Sequence, residues 1–118
     1  MKSNEGQLQS ACIKWFRLQY PKLKPYLFAV PNGGSRNKIE AVNLKRQGVL
    51  PGVADIIFLW PSGPLPFLCI EMKYGNGKQS KEQRQWQYYI ENTGGKYVIC
   101  NSLDSFMNEI NTYLNEKN

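Results

Sequence analysis

The chain has 118 residues and a formal net charge of +6, from 15 Lys and Arg against 9 Asp and Glu. This length suits a single domain over residues 1–118 with one core, and no apolar run approaches the roughly 20 residues that span a membrane. The basic balance favours a polyanionic partner, for which nucleic acid is the usual candidate. Because the chain has no histidine, Ser-His-Asp triads and histidine-bound zinc are excluded.

Three cysteines, Cys12, Cys69 and Cys100, are far apart in the sequence. Their odd number and wide spacing fit neither a disulfide framework nor a zinc site, so we expect all three to be buried. The N-terminus lacks the basic-then-apolar pattern of a secretory signal, which predicts a cytoplasmic protein.

Apolar periodicity and the positions of Gly and Pro divide the chain into short elements. In chain order they are a helix over residues 4–19, a strand over 27–30, a helix over 38–47, strands over 55–60 and 66–73, a helix from 81 to about 92, a strand over 96–100 and a helix over 103–114. This order predicts an α/β fold class with a central mixed sheet, in which the step from residue 67 to 100 is a right-handed parallel crossover.

Two helices carry further predictions. Ile39, Ala41 and Val42 are expected to turn the second helix towards the core, and Gly48 is placed to end it. The segment from Ser80 to Gln83 has the form of a capping box that opens the third helix.

The strand over 66–73 ends in a charged pair. Glu71 and Lys73 share one face of it because side chains alternate along a strand. Folding the hairpin about Gly63 places Asp55 nearly opposite Glu71, and two facing acids repel each other unless a cation lies between them. Mg²⁺ prefers carboxylate and carbonyl oxygens, so Asp55, Glu71 and the backbone carbonyl of Met72 are candidate metal ligands. Lys73 would then orient an attacking water or balance charge on a phosphate.

A structural interpretation of the same residues stays open. Glu71 and Lys73 would in that case be a solvent-side pair at a strand end, and Asp55 an ordinary turn residue. The triplet alone does not decide between the two interpretations.

Four segments in this order carry a resemblance to a known family: residues 31–36, 47–55, 70–73 and 79–83, which read Pro-Asn-Gly-Gly-Ser-Arg, Gln-Gly-Val-Leu-Pro-Gly-Val-Ala-Asp, Ile-Glu-Met-Lys and Gln-Ser-Lys-Glu-Gln. The chain resembles the VRR-NUC family of the PD-(D/E)XK nuclease superfamily, in its stand-alone phage and bacterial form. The resemblance implies a restriction-endonuclease-like core and a Mg²⁺- or Mn²⁺-dependent nuclease. Asp55 and Glu71 would be ligands, Lys73 the catalytic lysine and Gln83 a supporting residue. Ala54 stands where the family often has proline.

Two site residues have competing interpretations. Members of this family commonly carry a further acid on the first helix, and Glu5 is the candidate, with Glu40 a weaker substitute. An acid in a first helical turn is equally explained by the helix dipole. Gln83 is either the glutamine of the capping box or an active-site residue, and these two roles are expected to compete for one side chain.

A Gly-rich loop before a helix can hold phosphate oxygens. The candidate nucleic-acid-binding residues are therefore Asn32, Gly33, Gly34, Ser35, Arg36, Lys38, Lys45 and Lys78. Exposed tyrosines would stack on unpaired bases, although core packing is the commoner role of such residues. The tyrosines considered are Tyr74, Tyr88, Tyr89 and Tyr97.

The resemblance also implies a homodimer acting on branched DNA, as Holliday junction resolvases do, in a bacterial or phage-infected host cell. Two alternatives stay open at this point. One is a non-catalytic nucleic-acid-binding module, although a pure binder has no need of two acids near phosphates. The other is a nicking or end-trimming repair nuclease on the same fold.

Overall fold

The computed structural model describes residues 4–31 and 38–116. The helices are α1 Asn4–Gln19, α2 Lys38–Arg46, α3 Lys81–Asn92 and α4 Leu103–Leu114. The strands are β1 Leu27–Ala29, β2 Ile56–Phe58, β3 Leu68–Met72 and β4 Lys96–Cys100, and a short 3-10 helix over Pro21–Tyr26 precedes β1. All the predicted elements are present, and the strands around the hairpin are shorter than expected.

The four strands form one mixed sheet in the order β1-β2-β3-β4. β1 and β3 both pair with β2 in antiparallel fashion, whereas β4 runs parallel to β3 because α3 connects them. This arrangement confirms the predicted α/β fold class with a central mixed sheet flanked by helices.

Alternation along β3 divides the core between the two faces of the sheet. Leu68, Ile70 and Met72 belong to the larger cluster, which α1 and α4 cover with residues such as Phe16 and Phe106. Cys69 faces the other way, into a smaller cluster that α3 closes. Glu71 therefore lies on the α3 side of the sheet, two residues beyond Cys69.

The start of α3 is fixed by the predicted capping box. The Ser80 side chain accepts a hydrogen bond from the backbone of Gln83, and the Gln83 side chain accepts one from the backbone of Ser80. A matching pair of bonds joins Ser102 and Ser105 at the start of α4. Because each box satisfies donors that a helix start leaves unpaired, both helix starts are well defined.

Helix α2 forms where predicted, and Gly48 follows it with a positive φ of 104°. The prediction that Ile39, Ala41 and Val42 face the core is wrong. Ile39 is 75% exposed, Val42 is 54% exposed, and α2 has no buried residue. A helix of nine residues has too small an apolar stripe to define the body on which it packs.

The three cysteines are free and buried, as expected. No helix within residues 4–31 and 38–116 is long and apolar enough to cross a membrane.

Candidate active site

The hairpin of β2 and β3 brings the two predicted acids together. Ile56 pairs with Ile70, so the same register continued by one residue sets Asp55 opposite Glu71. The Asp55 carboxylate turns back along the hairpin and its Oδ2 accepts a hydrogen bond of 2.8 Å from the Met72 N–H. The register predicted from the sequence is confirmed.

Glu71 is a buried acid with one unsatisfied oxygen. Its side chain is fully buried, with 1% of the residue exposed. Among the described residues, Oε1 of Glu71 receives no hydrogen bond and is shielded from solvent. An unpaired buried carboxylate oxygen costs free energy, and so it normally marks a missing partner.

The other oxygen of Glu71 has two partners from different elements. Gln83 of α3 donates its Nε2–H to Oε2 at 2.7 Å, and Lys73 Nζ lies 3.6 Å from the same atom. The Lys73 backbone N–H bonds to the Cys100 carbonyl, which fixes the end of β3 against β4. The predicted residues Asp55, Glu71, Lys73 and Gln83 therefore form one cluster.

Gln83 caps the helix and contacts Glu71 at once, so the prediction that its two roles compete for one side chain is wrong. Its Oε1 accepts the Ser80 N–H at 2.8 Å, while its Nε2 serves Glu71. A side-chain amide has an acceptor end and a donor end, so one residue can cap the helix and bind the acid.

The electrostatics of the cluster favour a proton or a cation. Burial, followed by the charge of Asp55, raises the pKa of Glu71 from 4.5 to about 8. Lys73 opposes this shift by its positive charge. Two adjacent acids of this kind cannot both ionise without a compensating positive charge.

These residues fit a divalent cation. Within residues 4–31 and 38–116, no three His, Cys, Asp or Glu side chains lie together as a metal group. Mg²⁺ nevertheless needs only one or two carboxylates, since it keeps several waters. Because the N–H and C=O of one strand residue point to the same side, the Met72 carbonyl faces the side on which Asp55 lies.

Glu5 reaches the edge of this cluster from α1. Its Oε2 accepts a hydrogen bond of 3.2 Å from the Tyr74 N–H, directly after Lys73 in the chain. The carboxylate thus holds the loop that follows β3, and its role as a metal ligand stays a prediction.

The candidate DNA-binding residues are dispersed. Lys38 and Lys45 are exposed on α2, and Lys78 is exposed in the loop after β3. The five candidates from Asn32 to Arg36 lie outside the described residues. Of the tyrosines, Tyr97 is buried, whereas Tyr74, Tyr88 and Tyr89 are more than half exposed.

Two supporting features were not predicted. Gln79 donates from Nε2 to Gln87 Oε1 at 2.8 Å and to the Tyr97 hydroxyl at 3.2 Å, which ties the loop after β3 to α3 and β4. Gly52 has a φ of 85°, and an added Cβ would lie 2.4 Å from the Glu82 carbonyl oxygen. Only the Pro-Gly pair at positions 51 and 52 hints at such a close approach in the sequence.

A mixed sheet flanked by helices, with the buried Glu71 beside the half-buried Asp55 at the hairpin and a lysine next to them, defines an α/β domain of the nuclease type. A family model described as VRR-NUC domain matches residues 3–104. The chain belongs to the VRR-NUC family, as the sequence motifs predicted.

A solved structure described as a VRR_NUC domain protein superposes with a TM-score of 0.85. It is 24% identical in sequence, and the match covers 100% of this chain and 93% of that chain. No curated protein matches the chain. At this level of sequence identity the structural match supports the fold alone.

Proposed function

We propose that this chain is a divalent-metal-dependent DNA endonuclease that hydrolyses phosphodiester bonds in branched DNA, such as Holliday junctions, as a homodimer. The observation that carries the proposal is the unsatisfied Oε1 of Glu71, buried beside Asp55 and within the same cluster as Lys73. A structural ion pair would satisfy both oxygens of the acid, whereas a metal site leaves one free for the ion.

Mg²⁺ or Mn²⁺ would be held by Asp55, Glu71 and the Met72 carbonyl. When bound, such an ion supplies Lewis acidity towards a phosphate oxygen and lowers the pKa of a coordinated water. The remaining partners of these ligands lie within the chain, because Gln83 holds Glu71 and the Met72 N–H holds Asp55.

Lys73 supplies positive charge where a phosphate would approach. Its side chain is only 15% exposed, and its amine lies beside Glu71. A fixed ammonium in a partly dry site stabilises charge that develops on a phosphate more strongly than a solvated one does. Gln83 holds Oε2 of Glu71, so Oε1 would remain available to a bound ion.

The basic surface supports DNA as the substrate. The net charge is +6, and Lys38, Lys45 and Lys78 are exposed and available for phosphate contacts. A two-fold dimer would set two such sites against two strands of a junction, which is the reason for proposing branched DNA.

The test compares cleavage of labelled duplex, flap, splayed and four-way DNA with Mg²⁺, with Mn²⁺ and with chelator. Wild type is run beside Asp55→Asn and Lys73→Met, and Asp104→Asn serves as a matched control because Asp104 is exposed at the start of α4. We expect wild type and Asp104→Asn to cut the four-way DNA only with a divalent ion, and the two site variants to be inactive.

Equal cutting by all four proteins would refute the assigned site. Binding without cutting would instead identify a nucleic-acid-binding module, and preferential nicking or trimming of ends would remove the proposed preference for junctions. Light scattering of the purified protein measures the dimer directly, and a monomer at assay concentration would refute that part of the proposal.

A further inference from the structure

A groove lies between α2 and the start of α3, outside the acid cluster. Its volume is about 550 Å³, within the range of roughly 300–1,000 Å³ typical of small-molecule sites. Most of its lining is apolar, and the lining residues include Leu44, Val49, Leu50 and Val53. Val49 and Leu50 are 48% and 58% exposed, so the apolar walls are accessible from solvent.

The groove is continuous with the candidate active site. Gln83 lines it and also donates to Glu71 at 2.7 Å. Val53, a second lining residue, precedes Asp55 by two positions. Gly52 brings the groove wall close to α3, because a Cβ at this position would lie 2.4 Å from the Glu82 carbonyl oxygen. A ligand in the groove would therefore touch one residue that contacts Glu71, namely Gln83, and one that lies two positions before Asp55, namely Val53.

The lining chemistry favours a neutral, flat ligand over a phosphate. The lining includes one basic residue, Lys45, and one acidic residue, Glu82, so it carries no net positive charge that would favour an anion. Apolar walls with a few polar groups at the rim are typical of pockets that receive an extruded base. The described lining residues include no aromatic side chain, so a base would contact aliphatic walls through its flat face, and such contacts do not distinguish the four bases.

We propose that this groove receives one unpaired nucleobase of the DNA strand bound at Asp55 and Glu71. The inference rests on the proposed DNA-cleaving function and assigns a base-binding subsite to it. Extruding a base costs least where the DNA is already unpaired or distorted, so the groove selects for structure and not for sequence.

The experiment measures binding, so that it does not depend on cleavage. Asp55→Asn protein is titrated with splayed DNA in which a single abasic site is moved along the strand. At one position the abasic site should weaken binding by about tenfold, because the contacts of one base with the groove are lost there. Replacing the base at that position by any other base leaves the affinity unchanged. A 2-aminopurine there changes its emission on binding.

Two matched variants locate the effect. Leu50→Asp places a charge on the apolar wall, whereas Ile39→Asp makes the same change on the outer side of α2, where Ile39 is 75% exposed and outside the groove lining. We expect Leu50→Asp to remove the difference between intact and abasic DNA and Ile39→Asp to preserve it. Both positions are exposed, so neither substitution removes core packing.

The inference would be overturned if the affinity were the same at every position of the abasic site. It would also be overturned if Leu50→Asp and Ile39→Asp changed the difference between intact and abasic DNA equally. A change of oligomeric state in Leu50→Asp alone would also overturn it, because a second copy of the chain would then cover the groove. If wild type cuts no DNA but the abasic position is found, the proposed cleavage fails and the base subsite stands. If wild type cuts DNA and no abasic position weakens binding, the proposed cleavage stands and the base subsite fails.

Discussion

The buried acid at the hairpin makes stability depend on pH in a direction opposite to that of most carboxylates. The pKa of Glu71 is raised from 4.5 to about 8 in the folded protein, mainly by burial. Between these values the folded state keeps a proton that the unfolded state has lost. Stability rises with pH only where the unfolded state binds more protons, so here the free energy of unfolding falls as the pH rises.

The change in the free energy of unfolding with pH has an upper limit, because Glu71 binds only one proton. A single titrating group changes the free energy of unfolding by at most about 1.4 kcal/mol per pH unit. From about pH 5 to about pH 7.5 we therefore expect a loss of a few kcal/mol, which is large beside the total of about 5–15 kcal/mol for a small domain. The other raised pKa values, those of buried thiols and phenols, are about 11 or 12 and lie outside this window.

Urea unfolding in chelator at several pH values measures this loss, with Glu71→Gln as the test variant. Glutamine has nearly the same size as Glu71 and no charge, so the variant should lose most of the slope and be more stable than wild type near neutral pH. Mg²⁺ binds the ionised carboxylates, so it should stabilise wild type increasingly as the pH rises and leave Glu71→Gln unaffected. An equal slope in both proteins, or stability that rises with pH in wild type without metal, would refute the reasoning.

Two further predictions concern the supports of the cluster. Gly52→Ala should destabilise the protein by more than about 1 kcal/mol and slow cleavage, because the new methyl group would lie 2.4 Å from the Glu82 carbonyl oxygen and displace the start of α3. The control is Gly75→Ala, which is also at a positive φ but has nothing within 4 Å of the added Cβ, and it should retain full activity. Gln79→Ala should cost about 1–3 kcal/mol, since it leaves the buried Tyr97 hydroxyl without its donor. In a Tyr97→Phe background the loss of stability caused by Gln79→Ala should be smaller. If urea unfolding shows that the two substitutions lower the free energy of unfolding additively, the hydrogen bond between Gln79 and Tyr97 contributes nothing.

The hairpin register could be predicted because two local signals agree. Alternation along β3 fixes which residues share a face, and the turn at Gly63, where φ is 55°, fixes which residues are opposite each other. A slip of one residue would have moved Asp55 away from Glu71 and turned Met72 out of the core. Few alternatives are compatible with an apolar strand that ends in charged residues, so the acid pair followed from the sequence.

The orientation of α2 and the network around Gln79 could not be predicted in the same way. Helical periodicity indicates that Ile39 and Val42 share a face, but the body against which the face packs depends on the rest of the chain. The bond from Gln79 to Tyr97 joins residues 18 positions apart on different elements. No spacing rule within a single helix or strand applies to such a contact, so only the assembled fold reveals it.

The identity of residue 83 connects the folding signal with the site. At the third position of a capping box, glutamate and glutamine bind the backbone of the capping residue equally well, and the helix dipole favours the acid. Glutamate would nevertheless bring a third carboxylate to Asp55 and Glu71 and would have no N–H to donate. A glutamine can do both, since Gln83 accepts the Ser80 N–H through Oε1 and donates to Glu71 through Nε2. The choice of glutamine at this position is therefore explained by the buried acid and not by the helix.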